Sequence, residues 1–228
     1  MAVTTCVFDA YGTLFDVAAA AREAAAEPGR QDFAAHWPAI AERWRLKQLE
    51  YSWQRAIRGA HCDFWQVTQD GLDYALAAEG LEGDADLRAR LLALYHELSA
   101  YPEVPAMLAA LKVRGLNTAI LSNGSPDMLR GATVSAGIGD RLDALLSVED
   151  VGIFKPAPAV YDLVGTRFGT TPDQVLFVSS NGWDASAATD YGFHTAWVNR
   201  AGLPVDRLPG RPPRILPDLA TIPELDLY

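Results

Sequence analysis

Four short groups of residues could carry chemistry: Asp9 with Thr13; Ser122, Asn123 and Gly124; Lys155 with Pro156; and Ser179, Ser180, Asn181 and Asp184. Together they offer carboxylates, an ammonium and several hydroxyl and amide groups, the side chains used for nucleophilic attack, proton transfer and anion binding. Other chemistries lack their patterns. There is no G-x-x-x-x-G-K-[ST], no G-x-G-x-x-G and no G-x-S-x-G, so neither a phosphate-cradling loop nor a nucleophile elbow is indicated. His36, His61, His96 and His194 are scattered and form no H-E-x-x-H, and they read as surface or packing residues. Cys6 lies inside an apolar run and Cys62 has no C-x-x-C partner, so both read as inert thiols.

Each group follows a short apolar run. Val3-Thr4-Thr5-Cys6-Val7-Phe8 is β-branched and apolar and stops at Asp9, which reads as a buried strand. Further strands are expected over 117–121, 144–148, 175–178 and 195–198, with helices over 104–114, 126–136, 157–168 and 185–191 between them. Glycine just past the helices, as at Gly115, Gly137, Gly169 and Gly192, is the usual C-terminal stop. Repeated strand–helix units with short links imply an α/β fold, a Rossmann-like parallel sheet with helices on both faces. In such a sheet, ligands sit outside the carboxyl ends of the strands. All four groups fall there, and a core gains no stability from gathering these residue types at one rim.

Between the first strand and the next lies a different kind of sequence, rich in Ala, Arg and Glu with large apolar residues at helical spacing. Trp37, Ile40, Ala41, Trp44 and the run 46–49 fit one long amphipathic helix, 64–78 a second and 87–98 a third. The expected organisation is a catalytic core of 1–15 with 100–228, and an inserted all-helical cap over 16–99. The Pro-rich stretch 204–223 has no clear period and is expected to wrap the surface.

Composition sets bounds on this reading. The chain has 228 residues, half of them hydrophobic, with 29 acidic against 19 basic side chains and a formal charge of −10. That suits one large domain, or a core with a small companion. No uninterrupted apolar stretch reaches the roughly 18 residues of a membrane span. No secretory signal is visible at the start, and two cysteines suit a reducing cytoplasm. With a pI near 4.8 and no basic stripe, nucleic acid is not an expected partner.

The motifs resemble a known superfamily. Phe8-Asp9-Ala10-Tyr11-Gly12-Thr13-Leu14, Leu121-Ser122-Asn123-Gly124, Lys155-Pro156 and Phe177-Val178-Ser179-Ser180-Asn181-Gly182-Trp183-Asp184 are similar, in order, to the motifs of the haloacid dehalogenase superfamily. The last of these, with Arg45-Leu46-Lys47-Gln48-Leu49-Glu50-Tyr51-Ser52-Trp53, resembles the L-2-haloacid dehalogenases in particular. Most members of the superfamily are Mg²⁺-dependent phosphatases, in which a second Asp two residues after the nucleophile protonates the leaving group. Here that position is Tyr11, and Ser179-Ser180-Asn181 stands where a metal-holding acidic pair is usual. A phosphatase with a degenerate motif and a catalytically silent binding module remain the alternatives.

The resemblance implies hydrolytic displacement of halide from a short (S)-2-haloalkanoic acid, giving the (R)-2-hydroxy acid, with no metal or organic cofactor. Asp9 is then the nucleophile, Thr13 orients it and Lys155 keeps it ionised. Ser122 and Asn123 suit the substrate carboxylate, while Arg45, with Asn123, stabilises the leaving halide. Tyr11, Leu49, Phe64 and Trp183 form an apolar wall. Asp184 and Asn181 serve ester hydrolysis, supported by Ser179 and Tyr161. Leu46 departs from the family pattern, at a position expected on the pocket wall. The resemblance implies that a homodimer is possible, since related dehalogenases are commonly homodimers, and the aromatic-rich stretch 44–53 offers a face for pairing. Read without the resemblance, Thr13 and 122–124 are ordinary turn residues, Arg45 is a solvated helix arginine and the aromatic residues belong to the core.

Overall fold

The computed structural model describes residues 2–227. Its strands are β1 (Thr5–Phe8), β2 (Asn117–Ser122), β3 (Ala144–Ser147), β4 (Val175–Ser179), β5 (His194–Val198) and β6 (Arg214–Leu216), and they form one sheet in the order β3-β2-β1-β4-β5-β6. Every pairing is parallel. All residues of β1 and β4 are buried. Continuous apolar strands of this kind require cover on both faces of the sheet.

That cover comes from α5 (Val104–Val113), α6 (Pro126–Ser135), α7 (Pro158–Phe168) and α8 (Gly182–Tyr191). Pro at the first or second position of α5, α6 and α7 lacks only an N–H that would have no partner there. Gly169 and Gly192 end α7 and α8 in the left-handed conformation.

From β1 the chain leads to β2 and β3 on one side; β4 then lies on β1's other side. The strand order therefore reverses between β1 and β4, and the crevice beyond their carboxyl ends is where such sheets bind ligands. Register sharpens this. Phe8 pairs with Ile120 and with Val178, so Asp9, Ser122 and Ser179 leave the sheet at nearly the same height.

Between β1 and β2 stand α1 (Val17–Ala25), α2 (Gln31–Arg58), α3 (Phe64–Ala78) and α4 (Ala85–His96). Ile40, Trp44, Gln48 and Ser52, four residues apart, are the buried face of α2, which packs mainly on α3. α2 continues through Pro38, which sits on its exposed side, where the carbonyl four residues back can turn to water. The two chain crossings between helices and sheet run side by side: Asp16 N–H donates to Ser99 O at 3.1 Å and Tyr101 N–H to Leu14 O at 2.9 Å.

Three elements differ from expectation. The segment before Pro28 forms a separate helix, α1. α8 begins at Gly182, so Asp184 lies in its first turn. The Pro-rich tail adds the edge strand β6, paired with β5.

Candidate active site

Asp9 follows β1 directly, and its N–H still donates to Val178 O at 2.9 Å, so its backbone is held by the sheet. The chain then turns tightly, with Gly12 N–H donating to Phe15 O at 2.7 Å. Gly12 has φ +83°, and a Cβ there would come within 3.1 Å of Ser180 Oγ and 3.3 Å of Arg45 Nη2. Only glycine fits this turn without strain.

The turn returns Thr13 beneath Asp9. Its hydroxyl donates to Asp9 Oδ2 at 3.0 Å and accepts from Ser180 N–H at 2.8 Å. Asn181 Nδ2 reaches the same oxygen at 3.0 Å. Lys155 Nζ lies 3.3 Å from Asp9 Oδ1 and donates to Asp184 Oδ2 at 2.9 Å, while Tyr161 O–H donates to Asp184 Oδ1 at 2.7 Å. Lys155 is 1% exposed and Asp184 is fully buried.

Burial, aided by the nearby Asp9 charge, raises the Asp184 carboxyl above its ordinary range; Lys155 and Tyr161 oppose the rise. Burial and the Asp184 charge push the Tyr161 phenol far up, so it stays a neutral donor. Burial likewise raises Tyr11, and lifts Tyr95 to about 12.

Above this network is a cavity of about 40 Å³. Asp9, Lys155, Ser122, Asn123 and Asn181 form its polar side, and Tyr11, Leu49, Phe64 and Trp183 its apolar wall. Arg45 enters from α2 and donates through Nη2 to Asn181 Oδ1 at 2.5 Å. Asn123 Oδ1 accepts the Lys155 N–H at 2.9 Å, which turns its amide donors away from that contact. Thr13, Tyr161, Ser179 and Asp184 stand behind the cavity wall. Ser179 Oγ accepts the Asn181 N–H at 3.1 Å, so its contact is with the loop rather than the cavity.

Every residue expected at the site is thus part of one connected arrangement, except Leu46. That side chain is 58% exposed and lies outside the cavity wall. Two residues from Trp44 and from Gln48, it falls on the opposite side of the helix from the buried face. Trp44 itself is buried, donating Nε1–H to Thr68 O at 2.7 Å, so it gives no free face for pairing.

Gln48 and Tyr95 also line the cavity and were not expected there. Gln48 Nε2 donates to Thr68 Oγ1 at 2.9 Å and to Tyr95 O–H at 3.1 Å. A polar residue in register with Ile40 and Trp44 was the available signal. Arg200 was missed as well. It donates to Thr13 O at 3.2 Å and pairs with Glu103 at 2.7 Å, bracing the turn from β5's end.

A metal finds little here. Among the described residues no group of three His, Cys, Asp or Glu side chains could hold one. The position between Asp9 and Asp184 is filled by the Lys155 ammonium.

Compared with known proteins, the chain matches the haloacid dehalogenase-like hydrolase family model over residues 3–192. It is 43% identical over 223 residues to (S)-2-haloacid dehalogenase 1 of Pseudomonas sp. (strain CBS-3), covering 98% of this chain and 96% of that protein. A structure of a dehalogenase with an intermediate complex aligns at TM-score 0.94 and 39% identity, over 100% of this chain and 98% of that one. The structure of the L-2-haloacid dehalogenase of Xanthobacter autotrophicus with chloropropionic acid covalently bound gives TM-score 0.86 and 39% identity, over 98% of each chain. The chain therefore belongs to the haloacid dehalogenase-like hydrolases and, within them, to the L-2-haloacid dehalogenase family of enzymes.

Proposed function

We propose that the protein hydrolyses short (S)-2-haloalkanoic acids to (R)-2-hydroxyalkanoic acids through an ester on Asp9, without a metal. The observation that carries this reading is the Asp9 carboxylate, held at the cavity floor by Thr13, Asn181 and Lys155, with Tyr11 where a second acid would otherwise stand. One Asp9 oxygen attacks C2 from the face opposite the halogen. The carbon–halogen bond breaks, the halide leaves with the electron pair, and C2 inverts.

This step brings a second carboxylate toward Asp9. At ~4 Å and an effective dielectric of ~20 that repulsion is about 4 kcal/mol. Lys155 and Arg45 offset it, and the Ser122 and Asn123 donors take the substrate carboxylate. The permanently charged Arg45 guanidinium receives the halide without any proton transfer.

Water then attacks the Asp9 carbonyl carbon, and one of its protons passes to Asp184 by way of Lys155 Nζ, which stands between the two carboxylates. Cleavage of the bond between that carbon and the ester oxygen restores Asp9, and the departing oxygen takes the water's other proton and becomes the product hydroxyl. Residues 1–15 with 100–228 act as the catalytic core, and 16–99 as a cap that brings Arg45, Leu49 and Phe64 over the cavity.

Two measurements test the reading. Chloride release from (S)-2-chloropropionate should persist in EDTA; no release from any short 2-haloacid refutes the function. In a single turnover in H₂¹⁸O the label should enter the Asp9 carboxylate and not the product. Label in the product instead means direct attack by water.

A further inference from the structure

Phe64, one wall of the cavity, is the first residue of α3, and the first N–H groups of a helix have no partner within it. The N-cap Asp63 takes the Trp65 N–H at 2.6 Å, and the partner of the Phe64 N–H is supplied from the sheet side of the molecule. Phe64 N–H donates to Glu149 Oε1 at 3.3 Å, and His61 Nε2–H, just before the helix, donates to Glu149 Oε2 at 3.0 Å. Glu149 sits just past β3, and its own N–H donates to Ser147 Oγ at 3.2 Å. Ser147 O–H in turn donates to Gly124 O at 2.8 Å, in the loop that carries Ser122 and Asn123. Glu149 thus holds the helical wall with its carboxylate, while its backbone N–H and Ser147 tie it to the loop on the polar side of the cavity. Its negative charge at a helix N-terminus is also the favoured sign. The Phe64 and His61 rings close over Phe154, at 6.0 and 4.6 Å between centroids.

We infer that Glu149 is a positioning residue: it docks the start of α3 and thereby sets how far the Phe64 ring projects over the reacting cavity, restricting the enzyme to short side chains at C2. The inference rests on the haloacid reading for its substrate. Glu149 touches neither Asp9 nor the cavity, so its removal acts on the shape of the site and leaves the nucleophile in place.

The test compares the whole enzyme with Glu149→Gln and Glu149→Ala, using (S)-2-chloropropionate and the longer (S)-2-chlorohexanoate. In Glu149→Ala, KM for chloropropionate should rise roughly tenfold while kcat changes less than about threefold, and the preference for the short substrate in kcat/KM should fall about tenfold. Glu149→Gln keeps an acceptor for the Phe64 N–H and should recover most of that preference. Amide hydrogen exchange gives a readout independent of turnover: residues 61–66 should exchange faster in Glu149→Ala, with 5–8 unchanged. A folded Glu149→Ala protein with wild-type chain-length preference overturns the inference, as does unchanged exchange at 61–66. If wild type releases no halide, the haloacid reading fails instead, and the exchange measurement still decides whether Glu149 docks α3.

Discussion

Lys155 and Asp184 form a buried pair at 2.9 Å, and the same ammonium lies 3.3 Å from Asp9, so one cation serves two carboxylates withdrawn from water. Neutralising the lysine while keeping its length isolates that role. Lys155→Met leaves both carboxylates buried without their counter-ion, which should cost about 3–5 kcal/mol of stability and abolish turnover. Urea unfolding measures the first. The double variant Lys155→Met with Asp184→Asn should be less destabilised than the sum of the single changes, because it removes one of the stranded charges. Additive losses would mean that the pair is not coupled.

Asp184 should set the acid limb of turnover. Its carboxyl is raised by burial and by Asp9, so it takes up a proton at a higher pH than a free aspartate. In the proposed role of proton acceptor it works only when ionised. kcat should therefore fall as pH drops through a value above the ordinary carboxylate range. Stability runs the other way: a raised carboxyl contributes stability below its unfolded-state value and loses that contribution as pH rises through the folded one. Tyr161→Phe removes a hydrogen bond that holds the carboxyl down, so the acid limb should move to higher pH. A pH profile of kcat checks the direction; a shift to lower pH would contradict the assignment.

Arg45 joins α2 to the Asp9 network through Asn181, whose amide touches the Asp9 carboxylate with its other end. A guanidinium that stabilises the departing halide should matter most for the poorer leaving group. In Arg45→Lys, kcat/KM for 2-chloropropionate should fall by about 10²-fold, or about 2.7 kcal/mol. The loss for 2-bromopropionate should be smaller. Equal losses for both would assign Arg45 to substrate binding alone.

The polar edge of the sheet was legible because β1, β2 and β4 each carry a short apolar stretch that leads into a residue able to do chemistry. Asp9, Ser122 and Ser179 could be placed from that pattern alone. What escaped depends on contacts distant in sequence. β6 is three residues long, with Ile215 exposed, and exists only because β5 presents an open edge. α8 starts at Gly182 under Asn181, where a glycine gives no helical signal. Glu149 and Arg200 look like solvated charges until the partners from other segments are in place.

Gly124 offers a steric test of the cavity wall. A Cβ at this position would lie 2.8 Å from Tyr11 Cε2 and 3.1 Å from the Tyr11 hydroxyl oxygen, with Leu129 Cδ2 at 3.2 Å on another side. Tyr11 has little room to retreat, since its ring stacks on Tyr95 at 5.4 Å and on Phe64 at 6.5 Å between centroids. Gly124→Ala should therefore push the ring within the cavity and overpack the site, at about 1–3 kcal/mol. KM for the haloacid should rise about tenfold, because the loop also carries Ser122 and Asn123. Gly83→Ala, where an added Cβ meets nothing within 4 Å, is the control and should leave KM and the urea midpoint within error of wild type. Equal behaviour of the two variants would show that the wall around Tyr11 yields freely.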